Sequence, residues 1–93
     1  MLERVFRQMR DKVRSSDYVV TFHARKEMQE EDLETDDVEH AILTGRIVER
    51  QKDRITSEWK YVVSGIALDD CAVELVAKIG PTGKLVIVTV YKR

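Results

Sequence analysis

The chain has 93 residues, of which 43% are hydrophobic and 35% are charged, and its formal net charge is −1. This length supports one hydrophobic core, so we expect a single domain over 1–93. Every apolar run is much shorter than the roughly 18 residues of a membrane span. Charges at Glu3, Arg4 and Arg7 also interrupt the N-terminal stretch where a signal peptide would be apolar. We therefore expect a cytoplasmic protein without a membrane partner.

The chain has only two histidines and one cysteine, which argues against a zinc-type metal site. His23, His40 and Cys71 do not follow a recognisable zinc-binding spacing, and the single cysteine has no partner for an internal disulfide. Cys71 lies in an alternating apolar stretch, where we interpret it as a small core residue. Residues 80–84 lack both the upstream glycine and the hydroxyl of a phosphate-binding loop and predict a hairpin turn. We predict no metal and no other cofactor.

Charge is distributed in three unequal blocks. Residues 1–26 contain seven Lys or Arg and three acids, residues 27–39 contain eight acids and no base, and residues 40–93 contain nine bases and six acids. We call residues 27–39 the acidic segment. Carboxylates at this density repel phosphate, so nucleic acid would have to approach another face. The segment is either a solvated helix surface or a docking site for a basic segment of a partner.

The first third of the chain predicts a helix, a strand and a second helix. Apolar residues recur at helical spacing over 1–14 and indicate an amphipathic helix. Tyr18–Phe22 is rich in aromatic and β-branched residues and predicts a strand. Ala24–Glu31 consists mainly of strong helix formers without glycine or proline, so a helix follows the strand directly.

A short third helix is predicted over about 36–44. The hydroxyl of Thr35 can cap it, and Asp36 and Asp37 complement its dipole. We expect Gly45 to end this helix in the left-handed conformation. His40 lies within the helix and is interpreted as a partly buried surface residue.

Four strands are predicted after Gly45. Arg46–Arg50 begins the first, and Trp59–Leu68 forms the second, in which Gly65 suggests a bulge or a strong twist. Cys71–Ile79 alternates, as a strand with one buried face does. Lys84–Tyr91 is apolar at nearly every position, so we expect it in the middle of the sheet with both faces covered.

The element order is therefore α-β-α-α-β-β-β-β, which predicts an α+β fold. Short connections between consecutive strands favour an antiparallel sheet of four to five strands, with the helices packed on one face. The helix over 1–14 could fold back on this sheet or dock on a second copy of the chain. A homo-oligomer through that helix is one of the two outcomes.

His23 is the first candidate for a functional residue because it lies between the predicted strand and helix. In a structural role its ring nitrogens would be satisfied by the backbone or by Glu27, one helical turn later. In a functional role it would be a general acid or base, since an imidazole titrates near neutrality. The sequence leaves both roles open.

Further candidates are basic and aromatic side chains of the predicted strands. Arg46 and Arg50 share one face of their strand by spacing. The best available phosphate contacts are these two arginines with Lys60, Lys92 and Arg93. The alternative is a solvated sheet edge. Tyr91 either packs in the sheet or presents its hydroxyl at the rim.

Several short patterns occur in a fixed order along the chain. They are His23-Ala24-x-x-Glu27-Met28, Leu33-x-x-x-Asp37-Val38-x-x-Ala41-Ile42-Leu43-x-Gly45-x-Ile47-Val48-Glu49, Tyr61-x-Val63-x-Gly65 and Val88-Thr89-Val90-Tyr91. Together they resemble the small bacterial proteins grouped as domain of unknown function 4258. The resemblance covers about residues 18–91 and omits the N-terminal helix.

That family is distantly similar to RelE-like and BrnT-like toxins of toxin–antitoxin systems. The similarity implies a RelE-like fold and a metal-independent endoribonuclease, with RNA as substrate and an antitoxin as partner. His23 would be the base or acid and Tyr91 a proton donor, with Glu27 supporting the histidine. The phosphate contacts would be Arg46, Arg50 and Lys92.

This chain departs from the resemblance in its charge. Many relatives carry arginines along the helix after the histidine, where this chain has Glu27 and Glu31. The chain could therefore be an inactive relative of such toxins. The alternative function is a non-catalytic protein-binding or oligomerisation module that uses the acidic segment or the N-terminal helix.

Overall fold

The computed structural model describes residues 2–93 and confirms the predicted α+β order. The helices and strands of this range are α1 Leu2–Arg14, β1 Tyr18–Val20, α2 Phe22–Glu30, α3 Thr35–Thr44, β2 Arg46–Lys52, β3 Trp59–Ile66, β4 Ala72–Ile79 and β5 Leu85–Lys92. No helix among the described residues is long and apolar enough to cross a membrane.

The five strands form one sheet in the order β1-β5-β4-β3-β2. β2 to β5 form the predicted antiparallel meander. β1 joins at the other edge and runs parallel to β5, with Tyr18 opposite Leu85, so the sheet is mixed rather than purely antiparallel. Parallel pairing is accessible here because α2, α3 and three strands separate β1 from β5 along the chain.

The core lies between the helices and one face of the sheet. Its fully buried side chains include Met9 from α1 and Ile42 from α3, which pack with Val63, Leu75 and Ile87 of the strands. β5 lies inside the sheet as expected. The expectation that both of its faces are covered is wrong, because the helices pack on one face and Val86 on the other remains partly exposed.

Two glycines allow α3 to lie against the backbone of β3. A Cβ on Gly65 would come within 2.1 Å of the Ala41 carbonyl oxygen, and one on Gly45 within 2.3 Å of the Ser64 carbonyl oxygen. The prediction at Gly65 was a bulge or a strong twist; Gly65 pairs regularly with Val73, so there is no bulge. Gly45 has a φ of −95°, so the predicted left-handed helix end is wrong as well. Close approach of two backbones excludes a side chain at both positions.

Two helix starts also differ from the predictions. β1 ends at Val20, and the Thr21 hydroxyl caps α2 by accepting a hydrogen bond from the Ala24 N–H at 3.1 Å. Phe22 is consequently the first helical residue, with 85% of its surface exposed, rather than the end of a strand. α3 is capped by Glu34 instead of Thr35, and the Glu34 N–H donates to the Asp37 carboxylate at 2.9 Å.

Candidate functional site

His23 lies in the first turn of α2, at the rim of the molecule. Its side chain is 70% exposed, and Nε2 lies 3.3 Å from Oε1 of Glu27 on the next helical turn. Water screens the interaction because the histidine is largely exposed, so the His23–Glu27 pair adds little to the stability of the fold. The structure thus brings together the predicted histidine and its predicted supporting carboxylate.

Glu27 is held in place by the edge of β5. Its Oε1 accepts hydrogen bonds from the Thr89 hydroxyl and, at 3.1 Å, from the Val90 N–H. β1 pairs with β5 only as far as Ile87, so this carboxylate satisfies an N–H group that has no strand partner. The same oxygen faces His23, and Glu27 therefore ties α2 to the sheet edge as well as flanking the histidine.

Tyr91 lies near the end of β5, and its hydroxyl is engaged. The hydroxyl donates to Oε1 of Glu74 at 2.6 Å, and Oε2 of Glu74 is 3.2 Å from Nη1 of Arg93. The hydrogen bond to Glu74 raises the pKa of Tyr91, which keeps the phenol protonated. Tyr91 also lines a cavity of about 270 Å³ whose other walls are Glu27, Glu30, Glu31 and Val90. Three carboxylates in that lining make it unfavourable for phosphate.

The predicted phosphate contacts are dispersed. Arg46 and Arg50 belong to β2, three strands from β5, a separation of roughly 14 Å at the usual strand spacing. A register shift places Arg46 opposite Ser64 and Arg50 opposite Tyr61, so the two arginines do not share one face as expected. The Arg50 guanidinium lies 4.2 Å from the Trp59 ring centroid.

Lys92 is separated from both arginines. It is opposite Val73 at the end of β5, near Asp69 and Cys71 of the turn before β4. The Asp69 carboxylate accepts from the Cys71 N–H at 3.1 Å and raises the pKa of the thiol. Cys71 is partly buried against the core, and a raised pKa disfavours the reactive thiolate.

His40 and Tyr18 make contacts that the sequence did not reveal. Nδ1 of His40 lies 2.9 Å from the Ile66 carbonyl oxygen and joins α3 to β3. The Tyr18 hydroxyl donates to Glu39. Burial has the larger effect in raising the pKa of Tyr18, and the hydrogen bond to Glu39 raises it further. Both contacts join residues more than 20 positions apart, so neither has a local sequence signal.

The acidic segment is short of cations. Within the described range 2–93, the only ion-pair partner of its eight carboxylates is His23. Four of these side chains make neither a hydrogen bond nor an ion pair there, namely Glu30, Glu31, Asp32 and Asp36. No group of three or more metal-ligating side chains in that range could hold a metal ion. The charges of these unpaired carboxylates thus take no part in the contacts that hold the described residues together.

A groove runs beside this charge, between α2 and α3. It has a volume of about 380 Å³ and is lined by Arg25, Met28, Gln29, Leu33, Glu34, Thr35 and Asp36. We call it the α2–α3 groove. Met28 and Leu33 are buried and form its apolar floor, and Glu34 and Asp36 add two carboxylates to the lining. The groove is small, and these two carboxylates outnumber its one cationic residue, Arg25.

A family model described as Domain of unknown function (DUF4258) matches residues 20–92, from β1 to the end of β5. The chain belongs to this family. α1 lies outside the match. No curated protein and no solved structure matches the chain. The family description names no activity.

Proposed function

We propose that this DUF4258 protein is a non-catalytic protein-binding module that holds a cationic segment of a partner in the α2–α3 groove. The observation that carries the proposal is an apolar floor lined by Glu34 and Asp36, two carboxylates without a cationic partner among the described residues. A solvated surface gains nothing from an adjoining groove, whereas a bound segment uses both features.

The groove suits the side chains of arginine and lysine. Their aliphatic stems can cover Met28 and Leu33, while their charged heads reach Glu34 and Asp36. One exposed ion pair contributes only about 0.2–1 kcal/mol. Several carboxylates acting together also steer a cationic partner toward the surface and accelerate association. Affinity should therefore be moderate and sensitive to salt.

The ribonuclease hypothesis has weaker support from this geometry. Such a reaction requires an acid or base, a donor and cations around one phosphate group. His23 and Tyr91 contact Glu27 and Glu74 respectively, and the arginines of β2 lie three strands from β5. The catalytic roles of His23 and Tyr91 stay predictions, and so does the RelE-like relationship.

Fluorescence anisotropy with a labelled peptide of alternating arginine and leucine tests the proposal. Glu34→Gln combined with Asp36→Asn removes the two carboxylate charges that line the groove and that have no ion-pair partner among residues 2–93, and it should weaken binding about tenfold. Asp11→Asn combined with Asp70→Asn removes two charges elsewhere and should bind like the wild type. Raising the salt from about 50 mM to about 300 mM should weaken wild-type binding through screening.

Two results would overturn the proposal. One is the absence of measurable binding to the wild type. The other is equal weakening by both double variants, which would mean that the peptide responds to net charge rather than to the groove.

A further inference from the structure

A cationic surface lies on α1, outside the region that matches the family. Arg7, Arg10 and Arg14 line a cavity of about 290 Å³ together with Glu3 and Phe6. Their spacing of three and four residues places the three guanidinium groups along one side of the helix. We call these three residues the α1 arginine surface.

Arg10 is fixed at the centre of this surface. Its Nη2 donates to the Gly45 carbonyl oxygen at 3.0 Å, and its guanidinium lies 4.1 Å from the Phe6 ring centroid. Its Nε is buried and has no hydrogen-bond partner. An anchored, partly desolvated cation interacts with a carboxylate more strongly than a fully solvated one.

Arg7 and Arg14, which flank Arg10, remain available to bind carboxylates of another molecule. In the described part of the chain Arg7 makes no hydrogen bond or ion pair, and Arg14 makes only a contact of 3.4 Å with Asp11. Both members of that contact are more than 60% exposed, so it competes weakly with an external carboxylate.

The arginine surface and the acidic segment do not neutralise each other within one molecule. α1 packs against α3, β2 and β5, whereas α2 packs on β5. Across residues 2–93 no ion pair joins an α1 arginine to a carboxylate of the acidic segment. Opposite charges on two separate surfaces of the same chain can be matched between two copies.

We propose that the α1 arginine surface of one copy docks in the α2–α3 groove of a second copy. This inference rests on the proposed function, because it names the cationic segment that the groove binds. The contact joins two different surfaces, so a dimer held by one such contact is heterologous and has one free surface at each end. Association should therefore continue beyond the dimer as concentration rises, and salt should reverse it.

Sedimentation velocity on two neutralised variants tests this contact. Arg7→Gln with Arg14→Gln disables the arginine surface, and Glu34→Gln with Asp36→Asn removes the carboxylate charges of the groove. Each variant alone should self-associate about tenfold more weakly than the wild type. Mixed in equal amounts they should form a one-to-one dimer that grows no further, since each supplies the surface that the other lacks. Arg4→Gln with Arg54→Gln, a control for lost positive charge, should associate like the wild type.

The outcomes separate this inference from the proposed function. A wild type that binds the cationic peptide but stays monomeric overturns self-docking and leaves the groove as a site for another protein. A wild type that does neither overturns both proposals. Self-association that only one of the two variants weakens, or that mixing does not restore, places the interface elsewhere and overturns the inference.

Discussion

Carboxylates in two regions of this protein differ in whether they are paired with cations. In the meander, Asp53 pairs with Lys60 at 3.1 Å and Glu58 pairs with Lys78 at 3.0 Å. Asp53 also accepts backbone hydrogen bonds that shape the turn between β2 and β3. In the acidic segment, most carboxylates have no cation in the described part of the molecule.

The difference shows why charge counts alone are a weak guide to function. The chain has 17 acids and 16 bases, which looks balanced. Acids of the meander pair with nearby lysines, whereas those along α2 and α3 have almost no cationic partners among residues 2–93. The near-zero net charge therefore does not reveal the negative surface along these two helices. Charge that no fold contact uses is available to a partner.

Replacing Glu27 with alanine should cause the largest effect on stability. This carboxylate is the exception within the acidic segment, because it accepts from Thr89 and Val90. Its loss leaves the Val90 N–H without a partner and should lower the free energy of unfolding by about 1–3 kcal/mol. Urea denaturation of Glu27→Ala beside Glu31→Ala measures the contrast, since the second change should lie within about 0.5 kcal/mol of the wild type. Equal losses would erase the distinction between the two glutamates.

Asp53→Asn should produce a smaller, pH-dependent effect. Backbone N–H groups of Thr56 and Ile55, together with Lys60, lower the pKa of Asp53 to about 2. The unfolded value is about 3.9, so the ionised side chain stabilises the fold above that pH, and the contribution disappears as pH falls through about 2. The difference in Tm between wild type and Asp53→Asn should therefore be greatest near neutral pH and vanish in acid. A difference that does not change with pH would contradict this role.

His23→Ala should have the smallest effect. The exposed pair with Glu27 contributes little, so the change in unfolding free energy should stay below about 1 kcal/mol. Under the proposed function, induced expression of the wild type and of His23→Ala in a bacterial host should leave growth and mRNA equally intact. Growth arrest with mRNA loss that disappears in the variant would instead establish the ribonuclease hypothesis.

The sequence predicted the elements better than it predicted their contacts. Period-two and helical patterns located three helices and five strands, because those signals are local. Phe22 was placed in a strand by its β propensity, although Thr21 starts a helix there. The requirement for Gly65 comes from Ala41, which is 24 positions earlier and cannot be read from neighbouring residues.

The same limit applies to the site. The acidic segment was visible because its charges are consecutive, and the pairing of His23 with Glu27 follows from helical spacing. The anchoring of Glu27 by Thr89 joins residues 62 positions apart and has no local signal. The spacing of Arg46 and Arg50 predicts that they share a face. The register shift between them reverses this, and it leaves no trace in residue spacing.

NMR chemical-shift mapping with the arginine–leucine peptide locates the binding surface residue by residue. We expect the backbone amides of residues 25–36 to shift on titration, while those of residues 53–58 in the turn between β2 and β3 do not. Shifts centred on residues 53–58, or spread evenly over the molecule, would contradict the claim that the α2–α3 groove is the binding surface.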